Sequence, residues 1–253
     1  MELDLSTFLI VCPLVFLGSV VDAVAGGGGL ITLPAYLMAG VPPHLALGTS
    51  KFAGSLGMAT SAWRLYRGGF TDLRLTGVPV AAAFVGSFAG ARLALLVPED
   101  VFKFLLIGLL PIAAVIVMKN KTLSENPPPI DARRQMILLG VSALVCGAYD
   151  GFYGPGAGTL MLISFCAVAH LAVREAAGQM KMVNSASGFA AFASFAAAGE
   201  VNWILGLVAG IFCIAGHYIG AGLVIKNGVR VVRPLIIVVI AALFVKTAWD
   251  YLG

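Results

Sequence analysis

The chain has 253 residues, 60% of them hydrophobic and 11% charged, with 31 glycines and a formal charge of +4. Its mean hydropathy is +0.98. A soluble domain carries about 25% charged residues, so an ordinary cytosolic enzyme, a nucleic-acid-binding module and a disordered chain are excluded, and an all-α polytopic membrane protein fits. At roughly 20–25 residues per crossing plus short loops, the length allows about eight to ten crossings.

In chain order, apolar runs predict helices over 6–24, 30–41, 45–66, 75–97, 101–118, 135–152, 159–171, 173–198, 203–225 and 234–251. The N-terminus, Met-Glu-Leu-Asp-Leu, lacks the basic region of a signal peptide, so the first segment is expected to remain as a membrane helix. Two segments are too short. A helix from Leu30 to Gly40 rises only about 16 Å against about 30 Å of hydrocarbon, contains Pro34, and follows Gly26-Gly27-Gly28-Gly29. The segment from Thr159 follows Gly154-Pro155-Gly156-Ala157-Gly158 and has the same defect. Each reads as a discontinuous helix, tolerated at membrane depth only where protein or water satisfies the freed backbone. Such a segment either spans or re-enters.

The sequence repeats at an offset of about 130. Ala46, Gly48, Lys51, Ser55 and Gly69 recur as Ala176, Gly178, Lys181, Ser185 and Gly199. Gly86, Gly90 and Ala91 recur as Gly216, Gly220 and Ala221, and Val101, Lys103 and Leu105 as Val231, Arg233 and Leu235. Upstream the offset is about 128, matching Asp22, Gly26 and Gly28 to Asp150, Gly154 and Gly156. This divides the chain into a first membrane repeat, 1–122, a cytoplasmic linker, 123–134, carrying Pro127-Pro128-Pro129, and a second repeat, 135–253.

Charge sets the orientation. With Glu2 and Asp4 outside and five crossings per half, the Arg64/Arg67/Arg74 loop, the linker with Lys119, Lys121, Arg133 and Arg134, Arg174, and the Lys226/Arg230/Arg233 loop all fall inside. Glu99-Asp100 and Glu200 fall outside, and of the loop cations only Lys103 joins them. An eight-crossing arrangement puts the two basic loops on opposite faces, so the rule favours about ten transmembrane segments in two inverted-topology repeats of five. Inverted repeats with broken helices are the architecture of secondary transporters, with the substrate site at the repeat interface.

Asp22-Ala-Val-Ala-Gly-Gly-Gly-Gly-Leu-Ile-Thr-Leu-Pro34 with Ala46-Leu-Gly-Thr-Ser-Lys51 resembles the first half of the TauE/SafE family of sulfite exporters. Gly147-Ala-Tyr-Asp-Gly-Phe-Tyr-Gly-Pro-Gly-Ala-Gly158 and Gly178-Gln-Met-Lys-Met-Val-Asn184 resemble the matching second half, and the likeness covers nearly the whole chain. The resemblance implies export or uptake of sulfite and small organosulfur anions such as sulfonates and sulfoacetate, in a bacterial cytoplasmic membrane, with no cofactor.

The residues themselves point to an anion site. Lys51 and Lys181 stand in apolar helices at one repeat position, where an ammonium costs several kcal/mol unless it pairs, snorkels or faces water. Snorkelling is the competing reading, since each sits two turns from its helix start. Thr49, Ser50 and Ser55 accompany the first lysine, and Gln179, Asn184 and Ser185 the second. The stretches holding Gly27, Gly28, Gly29, Gly156 and Gly158 are expected to present unpaired N–H groups at Leu30 and Thr159 to a bound anion. Gly86/Gly90 and Gly216/Gly220 read instead as close helix packing. Asp22 and Asp150 form a second symmetric pair: they couple transport to protons, pair with the lysines across the interface, or cap the adjacent glycine loops.

The remaining polar residues read more simply. Cys12, Cys146, Cys166 and Cys213 lie in separate apolar segments and read as packing residues, and His44, His170 and His217 have no ligand spacing, so no metal is expected. His44 and His170 are placed in loops beside the short helices, lining a vestibule, and His217 reads as a packed polar residue. Tyr149 and Tyr153 read as packing, with gating as the alternative, and Trp63, Trp203, Trp249 and Tyr251 as an aromatic belt. The expected function is a secondary transporter of a small sulfur-containing anion by alternating access, with proton coupling resting on Asp22 and Asp150. The alternatives are a passive anion or solute channel and, with no nucleophile–base pair to support it, an intramembrane enzyme or complex subunit.

Overall fold

The structure is a computed structural model; it describes residues 4–98, 101–102 and 126–227. Its helices are α1 (Leu5–Ala25), α2 (Gly29–Met38), α3 (Pro43–Arg67), a 3-10 turn at Leu73–Leu75, α4 (Gly77–Leu96), α5 (Ala132–Phe152), α6 (Ala157–Ala167), α7 (Val173–Ala197) and α8 (Trp203–Asn227). They fall within a few residues of the predicted spans. The helix expected over 101–118, from residue 103 on, the helix expected over 234–251, the start of the linker, and Trp249 and Tyr251 lie outside the described residues.

Local chemistry sets the ends. Gly26 stops α1 in the left-handed conformation, φ 74°, its N–H donating to Asp22 O. Pro43 opens α3 at a position where its missing donor is not needed, and Arg64 and Arg67 sit in the last turn against the negative end of the helix dipole. The carboxylate of Asp131 accepts from Arg134 N at 3.1 Å and starts α5 at Ala132, so Arg133 and Arg134 belong to the helix and not to the expected linker. Asn202 caps α8 by accepting from Leu205 N at 3.1 Å. His44 lies in the first turn of α3 and not in a loop. It stacks on Phe102 at 4.7 Å, and its Nε2 lies 3.1 Å from Ala94 O. His170 does occupy a loop, at φ 54°, with Nδ1 3.2 Å from Pro128 O.

Among the described residues, α1, α4, α5 and α8 are long and apolar enough to cross a membrane. They carry most of the exposed large apolar side chains, including Leu9, Leu17, Val85, Leu93, Val145 and Ile211. The 25-residue helices α3 and α7 are more polar and are enclosed by the others. They run antiparallel: a methyl on Gly48 would meet Phe195 Cβ at 2.9 Å, and one on Gly188 would meet Ser55 Oγ at 3.1 Å.

The outer helices pack through glycine. A methyl on Gly216 or Gly220 would come within 2.6 Å of Phe16 O or 2.5 Å of Val20 O, so α1 and α8 run side by side in the same direction. Gly86 and Gly90 bring α4 equally close to Leu144 and Ala148 of α5, also in parallel. The predicted packing role of these glycines is what the structure displays. All four cysteines are buried and none forms a disulfide.

Candidate functional site

The two glycine turns meet at the centre of the protein. After Gly26 the chain folds back on α1, and a methyl on Gly18 would lie 2.6 Å from Thr32 Cγ2 of α2. The second turn packs against the first. Thr159 N donates to Gly26 O at 3.1 Å, Thr159 Oγ1 donates to Ala25 O at 2.7 Å, and a methyl on Gly29 would reach Pro155 Cα at 3.0 Å. At Gly26, where φ is 74° and a methyl would collide with Gly158 C, only glycine admits this approach. It also overturns one expectation. Leu30 N donates to Gly27 O within the first turn and Thr159 N to Gly26 O across the junction, so these two backbone donors, expected to await an anion, are already engaged.

The ionisable residues cross-pair between the halves. Lys51 Nζ lies 2.7 Å from Asp150 Oδ1, and Lys181 Nζ lies 2.7 Å from Asp22 Oδ2. Both lysines are buried, Lys181 completely, so neither snorkels. Asp150 Oδ2 also accepts from Ser187 Oγ at 2.6 Å. Asp22 Oδ1 accepts from Gly28 N at 3.0 Å, the capping bond expected of it, and Lys181 Nζ donates further to Asp22 O. A buried carboxylate needs several such donors to stay charged.

A cavity of about 80 Å³ opens at this junction, lined by residues of both halves. Allowing about 10–15 Å³ of such volume per water, it holds several waters or one small ion. Of the predicted site residues, Lys51, Ser50, Asn184, Gly28, Gly29, Gly158, Asp22 and Asp150 line it. Thr49, Gln179, Ser185, Lys181, Gly27 and Gly156 do not. Thr49 Oγ1 accepts from Asn202 N at 2.9 Å, and the Gln179 amide bonds Asp72 O and Thr76 Oγ1. Both fasten a neighbouring loop.

The cavity also takes Tyr36, which the sequence did not single out and whose hydroxyl is buried and unpartnered, as is Oδ1 of the predicted Asn184. Tyr153, Cys213 and His217, read from the sequence as packing residues, complete a wall otherwise made of Val15, Leu33, Leu47, Ala53 and Met58. His217 Nδ1 lies 3.0 Å from Ser61 Oγ, and its Nε2 lies 3.6 Å from Asp22 Oδ2. Tyr149 donates to Pro155 O at 2.8 Å and braces the second turn. Among the described residues no group of three metal-ligating side chains forms.

The sulfite exporter TauE/SafE family profile matches residues 11–247. A probable membrane transporter protein, ORF9, of Sinorhizobium sp. is 32% identical over 239 residues, covering 93% of this chain and 90% of that protein. One from Haemophilus influenzae is 30% identical over 253 residues, covering 99% and 98%. The probable membrane transporter YfcA of Escherichia coli K12 is 30% identical over 240 residues, covering 94% and 88%. No solved structure matches. The chain therefore belongs to the TauE/SafE family: it is a multi-pass membrane transporter and not an enzyme.

Proposed function

We propose that the protein is a secondary transporter of a small sulfur-containing anion such as sulfite, a sulfonate or sulfoacetate, working by alternating access between two inverted repeats in a bacterial cytoplasmic membrane. One observation carries this reading. The two halves make the same ion pair with each other, Lys51–Asp150 and Lys181–Asp22, yet only the first pair borders the cavity with both members. The position matching Ser50, which lines the cavity, holds the buried Met180 on the other side. A symmetric machine caught with one side open and the other filled has this form.

The packing supports the inverted repeat. Exchanging α1 with α5, α2 with α6, α3 with α7 and α4 with α8 turns the α1–α8 contact into α5–α4 and the α3–α8 contact into α7–α4, while α3–α7 maps onto itself. Because α1 and α3 both run alongside α8 in its direction, α2 must return the chain to the face where α1 began, which favours counting each short helix as a crossing. Parallel α4 and α5 call for an odd number of crossings between them, as the segment predicted over 101–118 would supply. We therefore propose repeats over 1–122 and 135–253 joined by a stretch at 123–134, whose last residues, Ala132–Arg134, form the first turn of α5.

Charge balance suggests the coupling. Two lysines and two aspartates sum to zero at the site. An anion that takes Lys51, with Ser50 and Asn184 beside it, leaves Asp150 buried and unpaired, which costs several kcal/mol. Each negative charge carried in therefore favours a proton carried with it, with Asp22 and Asp150 as the carboxylates whose charge it relieves. The test is counterflow of [35S]sulfite in proteoliposomes. Saturable exchange accelerated by internal unlabelled sulfite is expected; flux that neither saturates nor responds to internal sulfite would mean a channel.

A further inference from the structure

We infer that His217 is where the transported proton rests, an inference that depends on the transport reading above. The hydrogen-bond pattern decides which ring nitrogen faces Asp22. Ser61 Oγ donates to Met58 O at 3.0 Å, so its hydrogen is committed and it can only accept from His217 Nδ1, 3.0 Å away. The hydrogen-bond pattern thus puts the ring hydrogen on Nδ1. In the neutral imidazole, Nε2 then presents a bare lone pair to Asp22 Oδ2 at 3.6 Å. Two acceptors face each other, beyond hydrogen-bonding distance. A proton on Nε2 converts that opposition into an ion pair and gives Asp22 a second cation.

The surroundings make His217 the asymmetric element of a symmetric site. The titratable groups facing the ring are Asp22 from α1, Lys181 from α7 and Cys213 one turn earlier on α8, with Ser61 and Gly57 presented by α3. Lys51 of α3 and Asp150 of α5 border the same cavity. Arg64 of α3 is committed to Tyr218, its guanidinium 3.8 Å from the ring centroid. The position matching His217 in the first half is Ser87, which donates to Ser187 O at 2.7 Å and offers no proton acceptor of comparable basicity. The halves then divide the work: Lys51 and Asp150 meet the anion, and His217 takes one proton that enters from the acidic side, relayed by cavity water that is left neutral. With Asp22 satisfied by imidazolium, the grip of Asp22 on Lys181 loosens, and the site returns to zero net charge for each negative charge that enters.

The test uses the whole protein in proteoliposomes with [35S]sulfite, in counterflow at equal pH and in uptake driven by an acid-outside gradient, with protein-free liposomes subtracted. One coupled proton is worth up to about tenfold accumulation per pH unit. Wild type is expected to show both modes. His217→Gln, which alters a cavity wall, is expected to lower counterflow only in part while abolishing the response to the gradient. Ser61→Ala, which frees the ring to place its hydrogen on Nε2 toward Asp22, is expected to keep counterflow and move the midpoint of driven uptake to lower pH. Gradient response retained in His217→Gln, counterflow lost together with it, or an unshifted profile in Ser61→Ala each overturns the inference. Wild-type counterflow without any gradient response overturns it while leaving the transport reading intact, whereas absence of wild-type counterflow removes both.

Discussion

Lys51 of α3 and Asp150 of α5 come within 2.7 Å of each other, and the same two residue types at the matching positions, Lys181 and Asp22, repeat the contact at the same distance. Each pair joins a lysine of one half to an aspartate of the other. Buried pairs of this kind add little net stability but are expensive to break singly, about 3–5 kcal/mol, because the remaining charge is stranded. Lys51→Ala is therefore expected to lower the thermal midpoint in detergent sharply. The double change Lys51→Ala/Asp150→Ala is expected to recover most of the loss. A double variant no more stable than Lys51→Ala would show that the two charges do not depend on each other.

The polar neighbours of the lysines separate by helical phase. Residues two apart on a helix point to nearly opposite sides, so Thr49 and Gln179 turn away from Lys51 and Lys181 toward the loops at Asn202 and Asp72. Ser50 and Asn184 remain at the cavity. Thr49→Val and Gln179→Ala are expected to destabilise by about 1 kcal/mol each, the value of a typical lost hydrogen bond, and to leave the KM for transported anion unchanged. Asn184→Leu is expected to raise KM. A KM shift in Thr49→Val equal to that in Asn184→Leu would place the anion elsewhere.

That phase relation was available in the sequence, and it marks where residue-type reasoning stopped short. The helices, the two short segments and the pairs Lys51/Lys181 and Asp22/Asp150 are legible because a charge or a glycine run interrupts an otherwise apolar stretch, and such interruptions are costly enough to need a purpose. Tyr36 and His217 give no such signal. A tyrosine in an apolar helix and a histidine amid glycines are ordinary packing residues until a third element brings Asp22, Ser61 and the cavity beside them. The fate of the backbone donor at Thr159 was equally hidden, since it depends on one turn docking on the other.

Glycine at the helix crossings sets how near the halves approach. A methyl on Gly216 would press to 2.6 Å from Phe16 O, and one on Gly210 meets Leu56 Cδ1 at 2.9 Å, the end of a flexible side chain. Overpacking against backbone costs about 1–3 kcal/mol. Gly216→Ala is expected to lose stability of that order, and Gly210→Ala much less, in thermal melts of purified protein. Equal losses at the two positions would mean that α1 and α8 can shift apart freely.

Orientation follows from the parallel course of α3 and α8, which brings Arg67 and Asn227 to one face of the bilayer while Glu200, at the opposite end of α7 from Arg174, belongs to the other. Arg64, Arg67, Arg74, Arg174 and Lys226 gather toward the first face, the distribution expected of a cytoplasmic surface. Single cysteines replacing Arg67, Asn227 and Glu200, in a background lacking the four native thiols, are expected to separate accordingly. Glu200→Cys should react with a membrane-impermeant maleimide in intact cells, and Arg67→Cys and Asn227→Cys only after permeabilisation. Labelling of Arg67→Cys and Asn227→Cys from different sides would be incompatible with helices that run together, and with them would go the inverted repeat and the shared cavity between its halves.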